Sequence, residues 1–320
     1  MQQIKKPIWQ EFEEFKRLFD ASLQSSNPLL GEVIAYIKQR NGKMMRPMLV
    51  LLMAKVCGEV NDGTYHSAIS LELLHTASLV HDDVVDESDK RRGQKSVNAL
   101  YDNKVSVLVG DYLLATSLKE AASTGDIRIV ELVAKLGQHL SEGEIVQLSN
   151  TNANDFSEEV YFEVIRKKTA ALFASCAEAG ARSVSSSDEI GKKAYLFGEM
   201  IGIAFQIKDD IFDYYSSDIG KPTGNDMREG KLTLPALHVL NTSADASMKA
   251  LALRIRSLEA SKEEIDHFIA YIKEQGGIEY AHRVMLDYRD KALDLLPPNT
   301  SPEVREALTA YIDFVINRTK

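Results

Sequence analysis

No proline falls between Pro47 and Pro222, and the stretches between turn signals across that interval are long and helix-periodic. Proline breaks helices, so an interval free of it, with apolar residues recurring every three or four positions, predicts a continuous helical core. The other prolines lie early, at Pro7 and Pro28, or late, at Pro235, Pro297, Pro298 and Pro302. No repeat, low-complexity tract, linker or useful strand alternation interrupts the pattern. The expected fold class is all-α, in one domain spanning residues 1–320. Residues 8–25 read as an amphipathic helix carrying Trp9, Phe12, Phe15, Leu18 and Phe19, so residues 1–28 are expected to pack on the bundle or on a partner subunit.

The apolar run Leu71–Val80 leads into His81-Asp82-Asp83-Val84-Val85-Asp86. On a helix Asp82 and Asp86 share a face, with Asp83 about 100° round. Like charges at that spacing destabilise a helix unless something neutralises them, and a hard divalent cation does so. One such cluster is ordinarily a solvated helix face. The pattern recurs, however, at Asp209-Asp210-Ile211-Phe212-Asp213, again ending an apolar run, Met200–Ile207. Two such clusters on apolar helices predict a metal cage between facing helices.

Hydrophobic content of 44% with 27% charge fits a globular chain with a large core, and the net charge of −9 excludes a nucleic-acid partner. Basic residues gather instead in small groups, Lys43 to Arg46, Lys90 to Arg92 and Arg166 to Lys168, which suit discrete phosphates. Cys57 and Cys176 are too few for a disulfide framework or a zinc site. With no apolar leader after Met1–Lys6 and no run near the roughly 18 residues of a membrane span, the expected location is cytoplasmic.

Several local features complete the pattern. Lys43 and Arg46 point one way if the turn before Pro47 is helical, and Asn61-Asp62-Gly63 marks a turn before the first aspartate helix. Residues 127–150 read as a helix. Ser157, followed by Glu158 and Glu159, is the expected N-cap of a helix running through Lys168-Thr169 into the alanine-rich face Ala170–Ala181. Ser216–Asp226 is the longest loop signal and a candidate lid, while residues 231–320 revert to amphipathic helices.

Together, the turn Gly42-Lys43-Met44-Met45-Arg46-Pro47, both aspartate clusters and Arg91-Arg92-Gly93 resemble the trans (all-E) isoprenyl diphosphate synthases, or polyprenyl synthetases, from about residue 30 to residue 240. The likeness is greatest to their medium- to long-chain, octaprenyl-type members. It implies a helical bundle of the isoprenoid synthase type around a deep central cavity, and a homodimer, for which Val105–Leu114 is the expected part of the interface. It also implies condensation of isopentenyl diphosphate with an allylic prenyl diphosphate. By resemblance, Asp82, Asp83, Asp86, Asp209, Asp210 and Asp213 hold Mg²⁺, three ions with diphosphate bound. Arg91, Lys168, Lys221 and Lys231 contact the allylic diphosphate, and Lys43, Arg46, His75 and Arg92 the isopentenyl diphosphate. Thr169 and Gln206 place dipoles near the developing carbocation. Asn41 and Met44 depart from the family pattern, which commonly has glycine and a basic residue there.

The chemistry agrees with the resemblance. Ionising an allylic diphosphate separates a carbocation from a polyanion, so positive charge must be fixed around the leaving group in a site that excludes water. No side chain stands out as a general base, which suits the family view that the released diphosphate takes the proton.

The first aspartate helix also serves as a ruler. One helical turn, about 5.4 Å, matches one extended isoprene unit, so Ser78, Leu74 and Leu71 meet successive units. Short-chain members often carry an aromatic residue at the positions of Ala77 and Ser78, and the small residues here imply a product beyond four units, like the chains of quinones. Leu71, Leu74, Leu114 and Leu118 are floor candidates that core packing explains equally well. A greasy product implies at most peripheral membrane contact on release.

Other classes fit less well. His81-Asp82 matches metal phosphohydrolases of the HD type, but the second cluster holds none of the further histidines they need. A terpene cyclase has no use for the second diphosphate site implied by Lys43 and Arg46. A non-catalytic subunit is at odds with two intact clusters. A short-chain farnesyl or geranylgeranyl diphosphate synthase remains the alternative product class.

Overall fold

The structure, a computed structural model, describes residues 1–39, 42–91, 93–150, 156–215 and 224–317. Its elements are α1 (Gln2–Lys5), α2 (Trp9–Ser22), α3 (Pro28–Lys38), α4 (Met45–Cys57), α5 (Asp62–Val85), β1 (Lys90–Arg91), β2 (Gln94–Lys95), α6 (Val97–Tyr101), α7 (Asn103–Ser123) and α8 (Ile127–Asn150). There follow α9 (Glu158–Ile165), a single π turn at Arg166–Ala170, α10 (Ala171–Arg182), α11 (Asp188–Asp213), α12 (Asn225–Arg228), α13 (Leu234–Thr242), α14 (Ala246–Arg256), α15 (Lys262–Glu274), α16 (Gly277–Asp294) and α17 (Pro302–Asn317). Strand among the described residues is limited to the antiparallel ribbon β1–β2, so the class is all-α as expected. No helix of the described residues is long and apolar enough to cross a membrane.

Contacts divide the chain into two compact units. The first comprises residues 1–138, 172–198 and 295–311, and the second residues 139–171, 199–294 and 312–320. In the first, α4 is buried along its whole run from Pro47 to Ala54 and packs on α5, which in turn packs on α7. Ser70 and Ser117 stitch α5 to α7 by donating to each other's backbone carbonyls at 2.8 Å, which satisfies two buried hydroxyls. In the second unit, α13 packs on α16 and on α9.

The local signals act where they were read. Asn61 caps α5 in a capping box with Thr64, so the helix starts within the expected turn, and Ser157 caps α9 by accepting from Val160 N–H. Two local expectations are corrected, at Met44 and at Lys168-Thr169. Met44 lies in the left-handed region at φ 50°, so Lys43 precedes a sharp reversal and does not share a helical turn with Arg46. The connection after Arg91 is a ribbon turning at Gly93, whose φ of +79° suits glycine. The helix expected through Lys168 and Thr169 is interrupted by the π turn.

Candidate active site

The first aspartate cluster belongs to the first unit, at the C-terminal end of α5. Asp82 and Asp83 are in its last turn, and Asp86, just past Val85, keeps its N–H on Asp82 O at 2.8 Å, so the one-turn relation between Asp82 and Asp86 holds. The cluster is pinned from behind by His81, whose Nε2–H donates to Val107 O at 3.3 Å. Gly110 makes room for that ring: a Cβ there would lie 2.2 Å from His81 Nε2. Asp83 is buried, 1% exposed, and its carboxylate accepts from Arg91 Nε at 2.6 Å. Arg91 arrives on β1, and the Asp83 carbonyl holds the same corner by accepting from Ser88 N–H and Asn98 Nδ2. The structure thus makes Asp83 the partner of an arginine.

Arg46, also in the first unit, sits in the first turn of α4 with its guanidinium 5.7 Å from the centre of the Phe173 ring. Its buried Nε–H meets no hydrogen-bond acceptor among the described residues. A buried cationic donor left in that state is costly, and an anionic oxygen suits it. Lys43 is exposed and His75 half-buried, while Ala77, Leu74 and Leu71 lie buried on α5 with half-buried Ser78 among them.

The second cluster belongs to the second unit, where Asp209, Asp210 and Asp213 close α11. Asp210 is 3% exposed, and both its oxygens accept hydrogen bonds, Oδ1 from Gln206 Nε2 at 2.8 Å and Oδ2 from the Tyr161 hydroxyl at 2.5 Å. Gln206 Oε1 accepts in turn from Thr169 Oγ at 2.7 Å. Gly202, one turn before Gln206, allows this contact, since a Cβ there would lie 2.5 Å from Ala170 Cα. The Asp213 carboxylate accepts from the N–H groups of Asn225 and Asp226 and so caps α12. Lys168 is paired with Glu144, and Lys231 with Glu229 at 2.6 Å. Burial, reinforced by Asp226, pushes the Asp210 carboxyl up to about 8, and burial beside Asp213 pushes Asp226 up to about 6. Closely set acids in that condition favour a bound cation.

Arg92 and Lys221 lie outside the described residues. Among the described ones no group of three acidic, histidine or cysteine side chains is poised to hold a metal ion. Asp83 is turned to Arg91, Asp210 to Tyr161 and Gln206, and Asp213 to two backbone amides.

Sequence reading missed Tyr161, Glu144, Asp226 and the π turn. The π turn carries Lys168 and Thr169, and such one-residue insertions are frequent at functional sites. Asp226 stood inside the loop signal. Tyr161 and Glu144 carried no signal, because neither belongs to a local pattern.

The family model for polyprenyl synthetase matches residues 27–272. Octaprenyl diphosphate synthase of Haemophilus influenzae is 34% identical over 98% of this chain and 99% of its own length. A crystal structure of geranylgeranyl pyrophosphate synthase from Bacteroides thetaiotaomicron is 54% identical, covers 99% of each chain and has a TM-score of 0.86. One of polyprenyl synthase from Caulobacter crescentus, complexed with calcium and isoprenyl diphosphate, is 32% identical, covers 99% of this chain and 97% of that one, and has a TM-score of 0.89. With both aspartate clusters in place on an all-α chain of matching length and fold, the protein belongs to the polyprenyl synthetase family.

Proposed function

We propose that this prenyltransferase condenses isopentenyl diphosphate head to tail with an allylic prenyl diphosphate, releases diphosphate, and makes a medium- to long-chain all-trans product of the kind attached to quinones. The observation that carries the reading is the repeated Asp-Asp-x-x-Asp pattern, each copy at the C-terminal end of a long, largely buried helix. Oxygen-only donors of this kind suit a hard divalent cation, as do the raised carboxyls of the second cluster. The residues proposed to hold Mg²⁺, three ions, are Asp82, Asp83 and Asp86 with Asp209, Asp210 and Asp213. When bound, Mg²⁺ supplies positive charge to the departing diphosphate.

The chain's own residues do the rest. Arg91, held by Asp83, presents a fixed guanidinium to the allylic diphosphate, and Lys168 and Lys231 exchange their glutamate partners for it. Arg46 offers its buried Nε–H to isopentenyl diphosphate, with Lys43, His75 and Arg92 completing that site. Thr169 and Gln206 turn oxygen atoms toward the developing carbocation, and the apolar helices keep water from quenching it. The released diphosphate accepts the proton lost from the condensed product.

Product length separates two readings. The Bacteroides thetaiotaomicron structure favours four isoprene units, whereas the octaprenyl relative and the small residues Ala77 and Ser78 favour more. Incubation with radiolabelled isopentenyl diphosphate, farnesyl diphosphate and Mg²⁺, followed by dephosphorylation and sizing, is expected to give a ladder past four units. A ladder ending at four keeps the chemistry and overturns the long-chain product. No elongation with any allylic primer overturns the reaction.

The working unit is proposed to be a homodimer. Val107 and Leu108 stand exposed on α7, Leu108 at 67%, inside the apolar stretch Val105–Leu114. Sedimentation at micromolar concentration is expected to show a dimer, and a monomer there would count against it.

A further inference from the structure

We propose that Tyr161 is a positioning residue for prenyl transfer: through Asp210 it fixes the Gln206 amide, so that Gln206 Oε1 and the Thr169 hydroxyl oxygen are the atoms turned to the reacting carbon. This rests on the prenyl-transfer reading and assigns a residue that neither cluster contains.

The geometry is a chain of three hydrogen bonds. Tyr161 donates to Asp210 Oδ2 at 2.5 Å, Gln206 Nε2 donates to Asp210 Oδ1 at 2.8 Å, and Thr169 Oγ donates to Gln206 Oε1 at 2.7 Å. A glutamine amide has a donor end and an acceptor end of nearly the same shape, and its neighbours decide which way it lies. Here the decision is made at Asp210. An ionised aspartate offers only acceptors, so the amide nitrogen must lie toward Asp210 and the oxygen toward Thr169, and the Tyr161 hydrogen bond to Oδ2 fixes the carboxylate rotation that sets Oδ1 against Gln206.

Thr169 then spends its one proton on that oxygen, leaving only lone pairs on its outer side. The polar end of the chain is therefore negative. A reversed amide would oblige Thr169 to accept, aim its proton outward and present N–H groups nearby. The same residues would then oppose a carbocation where the observed arrangement favours one.

Tyr161 suits this task because it is itself immobilised. It is 9% exposed on α9, in edge-to-face contact with Phe162 at 5.3 Å, one turn before the π turn that carries Thr169. Without its hydroxyl, Asp210 Oδ2 has lost its donor, the carboxylate can rotate, and the amide has no fixed reference.

The test is a double-mutant cycle in the enzyme with farnesyl diphosphate, isopentenyl diphosphate and a series of Mg²⁺ concentrations. Tyr161→Phe removes one oxygen and preserves the ring that packs, so the variant is expected to fold, with a melting temperature a few degrees lower because a buried carboxylate oxygen loses its donor. Its kcat is expected to fall about 10- to 100-fold, the usual cost of removing a supporting hydrogen bond, while KM for both diphosphates stays within about twofold. In a Gln206→Leu background the same change is expected to cost nothing further, because the group it orients is gone. Equal losses in both backgrounds, or recovery of Tyr161→Phe on raising Mg²⁺, would overturn the proposal by assigning Tyr161 to packing or to the metal site. A Tyr161→Phe variant with unchanged kcat would do the same, whereas failure of the unaltered enzyme to elongate any primer would overturn the prenyl-transfer reading instead.

Discussion

Replacing Asp83 with Asn is expected to lower kcat about 10²- to 10³-fold, the scale of losing one fixed charge-stabilising group in an active site. Asp83 is proposed both to hold metal and to hold Arg91, and the second task follows from the geometry. Its carboxylate is buried and accepts from Arg91 Nε at 2.6 Å, on a ribbon of only two residue pairs. Asparagine keeps the shape and loses the charge, so the arginine is released to solvent and leaves the place proposed for its diphosphate contact. Breaking a fully buried pair typically costs about 3–5 kcal/mol. Here the Arg91 side chain retains 30% exposure, water takes up part of the loss, and about 2 kcal/mol of destabilisation is expected. Steady-state kinetics and a thermal melt check the two effects separately. A variant with unimpaired kcat would remove Asp83 from the site.

Product length is the second large effect. Ser78→Phe is expected to shift the product to four isoprene units or fewer while leaving the rate of the first condensation close to normal. Ser78 lies one turn before Asp82, is half-buried, and uses its hydroxyl only on its own helix, donating to His75 O at 2.9 Å. If Ser78 lines the proposed product tunnel, a phenyl ring there takes volume from the hydrocarbon. Ala77 is different: at 2% exposure it already packs in the core, so Ala77→Phe is expected to shorten the product and also to cost about 1–3 kcal/mol through overpacking. Chromatography of dephosphorylated products from the two variants, with their melting temperatures, separates the cases. An unchanged product distribution in Ser78→Phe would end the ruler reading and leave Leu71 and Leu74 as ordinary core residues.

The first prediction joins two residues legible in the sequence, Asp83 and Arg91, through a contact that was not, and the second rests on Ser78, legible from its place one turn before Asp82. Asp82, Asp83 and Asp86, like Asp209, Asp210 and Asp213, were legible because a helix turns a fixed spacing into a shared face, whatever surrounds it. The same locality made Asn61 and Ser157 readable as helix starts. The misreadings lie where backbone conformation departs from its most regular form. Left-handed Met44 and the π turn at Arg166–Ala170 both occur in stretches whose composition suits an ordinary helix. A π turn is a local cost that surrounding packing must offset, so a periodicity argument reads straight through it.

The sequence by itself determined the helical class, the position of most helices, the two acid clusters and the family, because each rests on interactions within a few residues or on a pattern of residue types. Only the tertiary structure decided what each acid does with its charge. Asp83 meets Arg91 across a ribbon, Tyr161 reaches Asp210 from another helix, Lys168 pairs with Glu144, and the His81 ring occupies the space left by Gly110. Such pairs depend on the register in which separate elements pack. That register is set by the summed burial of whole helix faces, and no short stretch of sequence contains it.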